Sequence, residues 1–563
     1  MELTKKILPL IFIILLSFPI LSPLLSRGYF PMHDDTQPTR VFEMARALGD
    51  GQFPVRWVSD LGYGYGYPIF NFYAPLPYYI GAIGVLSGLD AIVVTKLMFG
   101  LGVLLAAIFM YVLGYKLGGV WGGIISALVY LYAPYHGVQI YVRGAVGEYW
   151  AYAFLPLILY GIIGDKENRD QSWLIAALGL AGVILSHNIT AFLTLGFLGL
   201  FLASELLKSL VNRSDFSKAA LILKVIVVGA LFTAWFWLPA VTEVYLTKAE
   251  TLVQGANDFH RHFVFLDQLW NSPWGYGGSA PGRLDGMSFM LGKIPLVLAI
   301  LGLAGLTWNK IKSKGLIYLC LGGLIISVFM MLDISKSIWE VIPGIDFVQY
   351  PWRFLVFAVF FIAVMSSYVD FSLTRFVSSR NSRSLLLLGF SLVIVVVHSR
   401  YFRPQFVANK TSADYISDTA VKWSISRISD EYLPKNFPVP KTDKEIALGK
   451  FNTTGDIIID QSEIRSHFWH IDVMSLTAGD IVLSLSFFPG WKFYIDNRVV
   501  EPIIQDGLVK LQLVPGKHTI TAYFSNTWPR IVGNWVSLLA LFWFMTKLGP
   551  LKYKNQPYQN EKN

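Results

Sequence analysis

The feature that most constrains this chain is a series of apolar runs, each close to the thickness of a bilayer, separated by loops rich in Lys and Arg. About 20 apolar residues, with roughly 17–25 as the usual range, cross the hydrocarbon core. Charged residues make up 15% of the 563 residues and hydrophobic residues 54%, whereas soluble domains carry about 25% charged residues. The sequence therefore predicts a polytopic α-helical membrane protein of about twelve spans. The candidate spans are 7–26, 91–113, 120–135, 149–164, 172–187, 189–207, 219–241, 289–309, 315–332, 351–370, 384–401 and 531–547.

The distribution of Lys and Arg gives the predicted orientation, because short cytoplasmic loops are enriched in these residues. The first run follows Lys5-Lys6 and is long for a signal peptide, and no A-x-A-like cleavage site follows it, which indicates a retained span. With Lys5-Lys6 inside, every other basic loop is cytoplasmic only if the apolar stretch 74–89 does not cross. Those loops hold Lys116; Lys166 and Arg169; Lys208, Arg213 and Lys218; Lys310, Lys312 and Lys314; Arg375, Arg380 and Arg383; and Lys547, Lys552 and Lys554.

The composition of 74–89 also argues against a span, since two prolines stand at its head and three glycines lie within it. We predict a juxtamembrane or re-entrant helix there, inside a long first exterior loop at 27–90. Residues 1–401 then form a transmembrane domain, and residues 531–563 form the last span and a basic cytoplasmic tail. Both termini are predicted to be cytoplasmic, in a multi-pass protein of the cell membrane.

The block 402–530 reads as an exterior β-rich domain. Apolar and polar residues alternate in Asp480–Phe488, Val509–Val514 and His518–Phe524, and Pro-Gly pairs punctuate the block. A period of two is typical of half-buried strands, and Pro-Gly pairs mark turns. The pattern predicts an antiparallel β-sandwich-like module between two spans.

Net charge and cysteine usage exclude two classes of function. The formal net charge is +9, but the cations lie in short loops between apolar runs, where they report orientation; we expect no nucleic acid as a partner. Cys320 is the single cysteine, so an intrachain disulfide and a Cys-based metal site are both excluded.

The ionisable residues that this topology places on the exterior rim are the candidate site. They are His33, Asp34, Asp35, Arg143, Glu148, His187, Glu243, His260, Arg261, His262, Lys293 and Arg353. An ionised Asp at the bilayer centre costs roughly 2.5–3.5 kcal/mol. Asp34 and Asp35, which we call the twin acids, lie just after a predicted span and must therefore face water or a partner. Acids and cations on one rim suit an anionic, lipid-anchored substrate.

Each of these residues also has a structural interpretation. Asp34 and Asp35 could be a solvated loop pair, or they could cap a helix that starts near Thr39. Glu148 could be a helix-start acid. Arg353 and Lys293 could extend to lipid headgroups, although the planar fork of Arg353 suits phosphate better. His187 between two spans is typical of a packing residue. We expect His260 and His262 to lie in a solvated loop.

The run Gly62-Tyr63-Gly64-Tyr65-Gly66-Tyr67 and the aromatics up to Tyr79 allow two interpretations. They could form an interfacial aromatic belt or stack on a sugar ring. No strand–turn–helix pattern surrounds the Gly-x-Gly repeats, which excludes a nucleotide fingerprint. The chain also lacks a Walker motif, an H-E-x-x-H motif and a Gly-x-Ser-x-Gly motif.

The order of these features resembles the GT-C superfamily of membrane glycosyltransferases. More specifically, the chain is similar to the bacterial and archaeal membrane proteins described as pyruvoyl-tetrahydropterin-synthase-related, and to the YfhO-like proteins. The stretches that carry the resemblance are His33-Asp34-Asp35, Gly51 through Trp57, the Gly-Tyr run to Leu76, Arg143 through Glu148, Trp237-Leu238-Pro239, Gln349 through Phe354, Glu431 through Pro434, and Phe488 through Trp491.

The resemblance implies inverting transfer of a sugar from a polyprenyl-phosphate donor at the extracytoplasmic face. Asp34 would be the general base, Asp35 its orienting or metal-binding neighbour, and Glu148 the second-loop acid. Arg353, with Arg143 or Lys293, would stabilise the departing lipid phosphate, and His33 and His187 would join the substrate-binding set. The motif here is Asp-Asp, not Asp-Glu or Glu-Asp, which leaves open which acid is the base. It also leaves open whether Asp34 and Asp35 hold a divalent cation such as Mg²⁺ or Mn²⁺.

The implied partners are the bilayer, the lipid-linked donor, and a cell-envelope glycan, lipid or protein as acceptor. A transporter or flippase of lipid-linked saccharides is the main alternative, but such proteins place ionisable sites near the midplane in repeated halves, and neither pattern is visible. A third alternative is a scaffold whose β-domain binds glycan while the membrane part only anchors it, but twelve spans are far more than an anchor requires.

Overall fold

The computed structural model describes residues 2–164, 169–304 and 314–547. Helices fill the first two thirds of the chain, and two antiparallel sheets lie near its C-terminal end. The helices are α1 (Glu2–Leu16), α2 (Phe18–Leu21), α3 (Gln37–Gly49), α4 (Ile69–Phe72), α5 (Leu76–Leu86), α6 (Ala91–Leu131), α7 (Pro134–Gly137), α8 (Val146–Ile163), α9 (Arg169–Ser186), α10 (Asn188–Val211), α11 (Ser217–Phe232), α12 (Ala234–Glu243), α13 (Leu266–Trp270), α14 (Lys293–Ala304), α15 (Lys314–Met331), α16 (Lys336–Trp339), α17 (Leu355–Ser366), α18 (Val369–Leu373), α19 (Arg380–His398), α20 (Ala413–Ile416) and α21 (Trp528–Lys547).

Each of the twelve predicted apolar segments is helical over most of its described length. In the described part of the chain, four helices are long and apolar enough to cross a membrane, and up to six if two bent pairs each count as one crossing. The helical membrane fold is thus confirmed, while the count of twelve spans and the sidedness of the termini stay predictions. Several residues of the predicted cytoplasmic loops lie outside the described residues: Lys166, Lys310, Lys312, Lys552 and Lys554.

Helix α6 contains a sharp break that separates two predicted spans. Gly118 and Gly119 leave helical geometry, and Gly119 has φ +70°. A Cβ on Gly118 would lie 1.9 Å from the carbonyl oxygen of Ser367, so only glycine fits against that backbone. The break falls between the predicted spans 91–113 and 120–135.

Helix α5 occupies most of the stretch predicted not to span. It has 11 residues, which at 1.5 Å per residue gives about 16 Å, roughly half of the hydrocarbon thickness. It packs along α3 and the start of α6. Its re-entrant or juxtamembrane placement stays a prediction.

The C-terminal sheets are built from nine strands. These are β1 (Phe451–Thr454), β2 (Ile457–Ile464), β3 (Phe468–Ser475), β4 (Gly479–Ser486), β5 (Trp491–Ile495), β6 (Arg498–Val500), β7 (Ile503–Gln505), β8 (Leu508–Leu513) and β9 (Gly516–Phe524). One sheet has the order β1-β4-β8-β7 and the other β2-β3-β9-β5-β6, with all pairs antiparallel. Alternate residues of β3 are buried, as a strand with one core face requires. The three segments that alternate in the sequence are β4, β8 and β9, so the prediction of antiparallel strands there is confirmed.

Residues 402–450 contain short helical turns and pack on the first predicted exterior loop. Tyr29 and Ala408 form an antiparallel bridge, the Thr39 hydroxyl donates to the Tyr415 carbonyl at 2.7 Å, and the Arg40 guanidinium donates to the Ser429 hydroxyl at 2.8 Å. The boundaries 402 and 530 of the predicted domain stay predictions, but this stretch clearly meets the loop that carries the twin acids.

Two tyrosines of the Gly-Tyr run are buried in this contact, which argues against both sequence interpretations for those two rings. Tyr63 and Tyr67 are about fully buried, at 1% and 0% exposure, and the backbone of Tyr65 accepts a hydrogen bond from Ser486 N–H (2.7 Å). Gly66 has φ +86°, and a Cβ there would lie 2.3 Å from the Trp57 ring. The alternating glycines serve a tight turn packed against the β-strands, so the rings of Tyr63 and Tyr67 are available neither to lipid nor to a sugar. Tyr65, Tyr73 and Tyr79 are partly exposed, and for them both interpretations stay predictions.

Candidate functional site

A buried carboxylate with two guanidiniums forms the centre of the candidate site. Arg143 Nη1 lies 2.8 Å from Glu148 Oε2, and Arg353 Nε lies 3.7 Å from the same oxygen. The other oxygen accepts a hydrogen bond from the Tyr135 hydroxyl and one from Gln139 Nε2 at 3.0 Å. We call these five residues the Glu148 cluster. Both oxygens of Glu148 are therefore occupied, and its side chain is only 1% exposed.

Local backbone geometry brings the cluster together. Tyr135, Gln139 and Arg143 follow one another at four-residue spacing, the first in α7 and the other two in a π-helical turn at Val138–Arg143. Such turns are frequent at functional sites. Gly144 then reverses the chain with φ +65°, and Glu148 lies in the first turn of α8, where an acid is stabilised by the helix dipole.

Arg353 is held by a strained neighbour. Its Nη1 donates to Gln349 Oε1 (2.8 Å) and to the Val348 carbonyl (2.7 Å). Gln349 adopts φ +64°, a conformation unusual for a non-glycine residue, and its amide donates to the Leu252 carbonyl at 2.7 Å. Within the described residues, Arg353 Nε makes no hydrogen bond and faces Glu148 Oε2 at 3.7 Å, so this buried cation is incompletely hydrogen-bonded.

Asp34 lies beside the Glu148 cluster with its carboxylate free. Its backbone N–H donates to the Arg143 carbonyl at 2.9 Å, and its charge is within Coulombic range of Arg143 and Arg40. It is half-buried; Gln37 Nε2 donates to its backbone carbonyl at 3.3 Å, but no side chain in the described parts of the chain donates a hydrogen bond to its carboxylate. Neither acid caps α3, because Thr36 occupies the N-cap position; that alternative interpretation is wrong.

Asp35 points to different partners. Its carboxylate pairs with Lys410 Nζ at 2.9 Å and accepts a hydrogen bond from the Tyr415 hydroxyl at 2.8 Å. Both partners belong to the stretch after α19. The two adjacent acids are therefore separated in role: one is tied to the 402–450 stretch and the other is free.

The two histidines of the predicted substrate set lie at the edge of the site. His33 is exposed, with Nε2 3.0 Å from the Tyr276 carbonyl. His187 is the N-cap of α10, where Nδ1 accepts from Thr190 N–H at 3.2 Å. Its ring is within Coulombic range of Glu148, so it lies near the Glu148 cluster, while its hydrogen bonds go to Thr190 at the start of the helix.

Lys293 is separate from the Glu148 cluster. It lines a cleft with Arg400 and Arg403 at the ends of α14 and α19, and within the described residues no hydrogen bond or ion pair joins it to the cluster. His260 and His262 also point to different partners: His260 pairs with Asp258 at 2.6 Å and His262 bonds to Ser279 at 3.0 Å. His260 is exposed, as a solvated loop requires, but His262 is only 4% exposed, so the prediction of a solvated loop is wrong for His262.

Arg40 and Glu431 belong to the site although the sequence interpretation gave them no role there. Arg40 is 5% exposed and lies 4.3 Å from the Tyr73 ring centroid. Burial raises the pKa of Glu431 above its ordinary range, although the Arg40 guanidinium lowers it. The sequence position of Arg40 could have predicted this role. Arg40 precedes Met44 by four residues and therefore shares its apolar helix face, where a buried cation needs partners.

The residues present do not form a metal site by themselves. Among residues 2–164, 169–304 and 314–547, no three His, Cys, Asp or Glu side chains are grouped so as to hold an ion. Asp35 already neutralises Lys410, which leaves the Asp34 carboxylate as the available oxygen ligand of the pair. Mg²⁺ demands near-octahedral oxygen coordination, so the donor set does not fit a resident ion.

Comparison with known proteins identifies a family and distant structural neighbours. The model of the 6-pyruvoyl-tetrahydropterin synthase related domain, described as a membrane protein, matches residues 70–404. An uncharacterised protein of Lactococcus lactis subsp. cremoris (strain MG1363) is 25% identical over 175 residues, which is 30% of this chain and 28% of that protein.

Three solved structures are similar at low identity. The mycobacterial arabinofuranosyltransferase AftD is 14% identical, with a TM-score of 0.44, over 72% of this chain and 27% of its own. The Archaeoglobus fulgidus oligosaccharyltransferase in the apo form is 13% identical, with a TM-score of 0.43, over 80% and 62%. ArnT from Cupriavidus metallidurans bound to undecaprenyl phosphate is 12% identical, with a TM-score of 0.34, over 76% and 77%. The chain thus spans little more than a quarter of AftD and of the Lactococcus protein.

Proposed function

Since this chain belongs to the 6-pyruvoyl-tetrahydropterin synthase related family of membrane proteins, we propose that its site performs group transfer at the membrane surface, as a glycosyltransferase. The donor is a sugar carried on polyprenyl phosphate, and the acceptor is a hydroxyl of a cell-envelope glycan, lipid or protein. The site faces the extracytoplasmic side, with the β-strands on the same side.

The observation that carries the proposal is the free Asp34 carboxylate beside two buried guanidiniums. A general base needs a carboxylate that no other donor occupies, within reach of the acceptor. A departing phosphate needs fixed cations where negative charge develops. Asp34 meets the first requirement and Arg143 with Arg353 meets the second.

The proposed step is an inverting displacement at the anomeric carbon of the donor sugar. The acceptor oxygen forms the new bond to that carbon while Asp34 takes the hydroxyl proton. The bond between the anomeric carbon and the phosphate oxygen breaks, and the polyprenyl phosphate leaves with the electron pair. Arg353, whose Nε makes no hydrogen bond in the described residues, stabilises the added negative charge as a nearby buried cation. The proton on Asp34 then returns to water.

In this proposal Glu148 and Asp35 position other groups and do not touch the reacting atoms. Glu148 has both oxygens occupied and holds the guanidiniums of Arg143 and Arg353 together. Asp35 ties the acidic loop to Lys410 and Tyr415. Asp34 is thus assigned as the base, which the Asp-Asp motif alone left open.

The test is sugar transfer by the full chain in reconstituted vesicles, with a radiolabelled polyprenyl-phosphate sugar and a hydroxyl acceptor. Asp34→Asn keeps the shape but removes the base, and we expect transfer to fall at least 100-fold, since positioned bases contribute about 10²–10⁴-fold. The matched control is Asp333→Asn, an exposed acid, which should transfer at the wild-type rate.

Equal transfer by Asp34→Asn and wild type would overturn the assignment. Movement of labelled lipid-linked sugar between leaflets without an acceptor, unaffected by Asp34→Asn, would instead support the transporter alternative.

A further inference from the structure

A cleft of about 380 Å³ opens at the ends of α14 and α19, apart from the Glu148 cluster. Its lining includes Lys293, Arg400 and Arg403 together with Asn271, Trp274 and Tyr401. We call it the basic cleft. No carboxylate is among the residues that line it.

The three cations of the basic cleft are exposed and unpaired. Within the ranges 2–164, 169–304 and 314–547, none of them lies within ion-pair distance of an acid. Arg400 donates to the Tyr401 hydroxyl at 2.6 Å, and Lys293 Nζ lies 5.3 Å from the Trp270 ring centroid. Like charges gathered in one concavity raise the local positive potential, so the cleft favours an anion that accepts several hydrogen bonds.

The surface next to the cleft is apolar. Val297 and Ile300 on α14 are 52% and 63% exposed, and Val396 on α19 is 73% exposed. Residues Arg380–Tyr401 also form one of the segments long and apolar enough to cross a membrane. Cations at the end of such a helix, above exposed apolar side chains, lie at the depth of lipid headgroups.

We infer that the basic cleft binds the phosphate headgroup of a membrane lipid, with the acyl or prenyl chain lying along α14 and α19. Two arginine forks and one ammonium suit the oxygens of a phosphate, and the exposed valines and isoleucine suit its tail. A soluble anion would gain nothing from that apolar surface. Binding here does not depend on the proposed sugar transfer.

The basic cleft also touches the loop of the twin acids. The Tyr276 carbonyl lies 3.0 Å from His33 Nε2, and the Tyr276 hydroxyl donates to the Arg403 carbonyl at 2.9 Å. One tyrosine therefore bridges the cleft and the residue before Asp34. A lipid held in the cleft lies beside the candidate site without occupying it.

The experiment measures equilibrium binding of lipids to the purified full chain in detergent. The probes are phosphatidylglycerol, undecaprenyl phosphate and inorganic phosphate. The variant Lys293→Gln/Arg400→Gln/Arg403→Gln should bind both lipids at least ten times more weakly than wild type. The matched control Lys444→Gln/Lys492→Gln/Arg498→Gln removes three exposed cations elsewhere and should bind as wild type does.

Unchanged lipid binding in the cleft variant overturns the inference, and so does an equal loss in the control, since bulk charge would then explain it. Inorganic phosphate that binds as tightly as the lipids overturns the assignment to a lipid. Tighter binding of one of the two lipids supports the inference and identifies the source. Arg403→Gln alone removes one exposed guanidinium and should weaken lipid binding about threefold. This single variant replaces the triple variant if the triple variant does not fold.

Discussion

The Glu148 cluster and the basic cleft both gather cations, yet they differ in how the charge is balanced. In the cluster, Arg143 and Arg353 are buried and share one carboxylate. In the cleft, Lys293, Arg400 and Arg403 are exposed, and no acid lines the walls. Water therefore solvates the cleft cations, whereas the cluster cations depend on one partner.

The difference predicts opposite responses to substitution. Removal of one partner from a buried ion pair leaves an uncompensated charge in a medium of low dielectric constant. Removal of an exposed cation leaves nothing uncompensated. The cluster should therefore respond in stability and the cleft only in ligand binding.

The largest effect is expected for Glu148→Gln. It leaves two buried guanidiniums without their counter-charge, and we expect a loss of about 3–5 kcal/mol in the free energy of unfolding, as for other broken buried pairs. The measurement is thermal or denaturant unfolding of the purified protein in detergent. Glu501→Gln, an exposed acid, is the control. If Lys293→Gln cost as much as Glu148→Gln, the contrast between cluster and cleft would be wrong.

An intermediate effect on the pH dependence of stability is expected from Glu43, a buried acid without a close ion-pair partner. Its nearest cation, Arg46 Nη1, is 3.8 Å away and pairs with Asp60, which also binds Lys450. Burial, with the negative charge of Asp60, raises the pKa of Glu43 to about 8, whereas free Glu titrates near about 4.3. The folded state thus holds a proton that the unfolded chain releases, so this contribution to stability is lost as the pH rises through about 8.

Glu43→Gln removes that titration, since the amide stays neutral. The variant should lose less stability than wild type between pH 6 and pH 9, by at least about 1.4 kcal/mol, the equivalent of one pKa unit. Unfolding curves at both pH values measure it, with Glu463→Gln, an exposed acid, as the control. Parallel losses in wild type and Glu43→Gln would show that Glu43 does not carry the proton.

The smallest expected effect is the difference in unfolding free energy between the Asp35→Asn and Asp34→Asn variants. Asp35→Asn removes the charge that pairs with Lys410, and because both groups are partly exposed we expect a loss of only about 1 kcal/mol. Asp34→Asn removes no bond and should unfold as wild type does, within about 0.5 kcal/mol. Denaturant midpoints of the two variants measure the difference. Greater destabilisation by Asp34→Asn would reverse the roles assigned to these neighbours.

The helical part of the fold was predictable because apolar length is a local property. Each predicted apolar segment contains a helix, and the family resemblance was confirmed by the match over residues 70–404. The strands β4, β8 and β9 were also predictable, since their alternation follows from one buried face. The burial of Tyr63 and Tyr67 was not predictable, because it depends on a partner surface more than 350 residues away along the chain.

The sequence by itself determined which residues could meet: a pair of acids after the first apolar run, a second acid at the start of another, and cations at the same predicted face. Tertiary structure alone decided which charges are balanced. It gave Glu148 two guanidiniums, gave Asp35 a lysine, left Asp34 free, and separated Lys293 from the cluster. The physical reason is that hydrogen bonds and close ion pairs need atoms within a few ångströms of each other in space, and folding, not sequence spacing, decides which residues come that close.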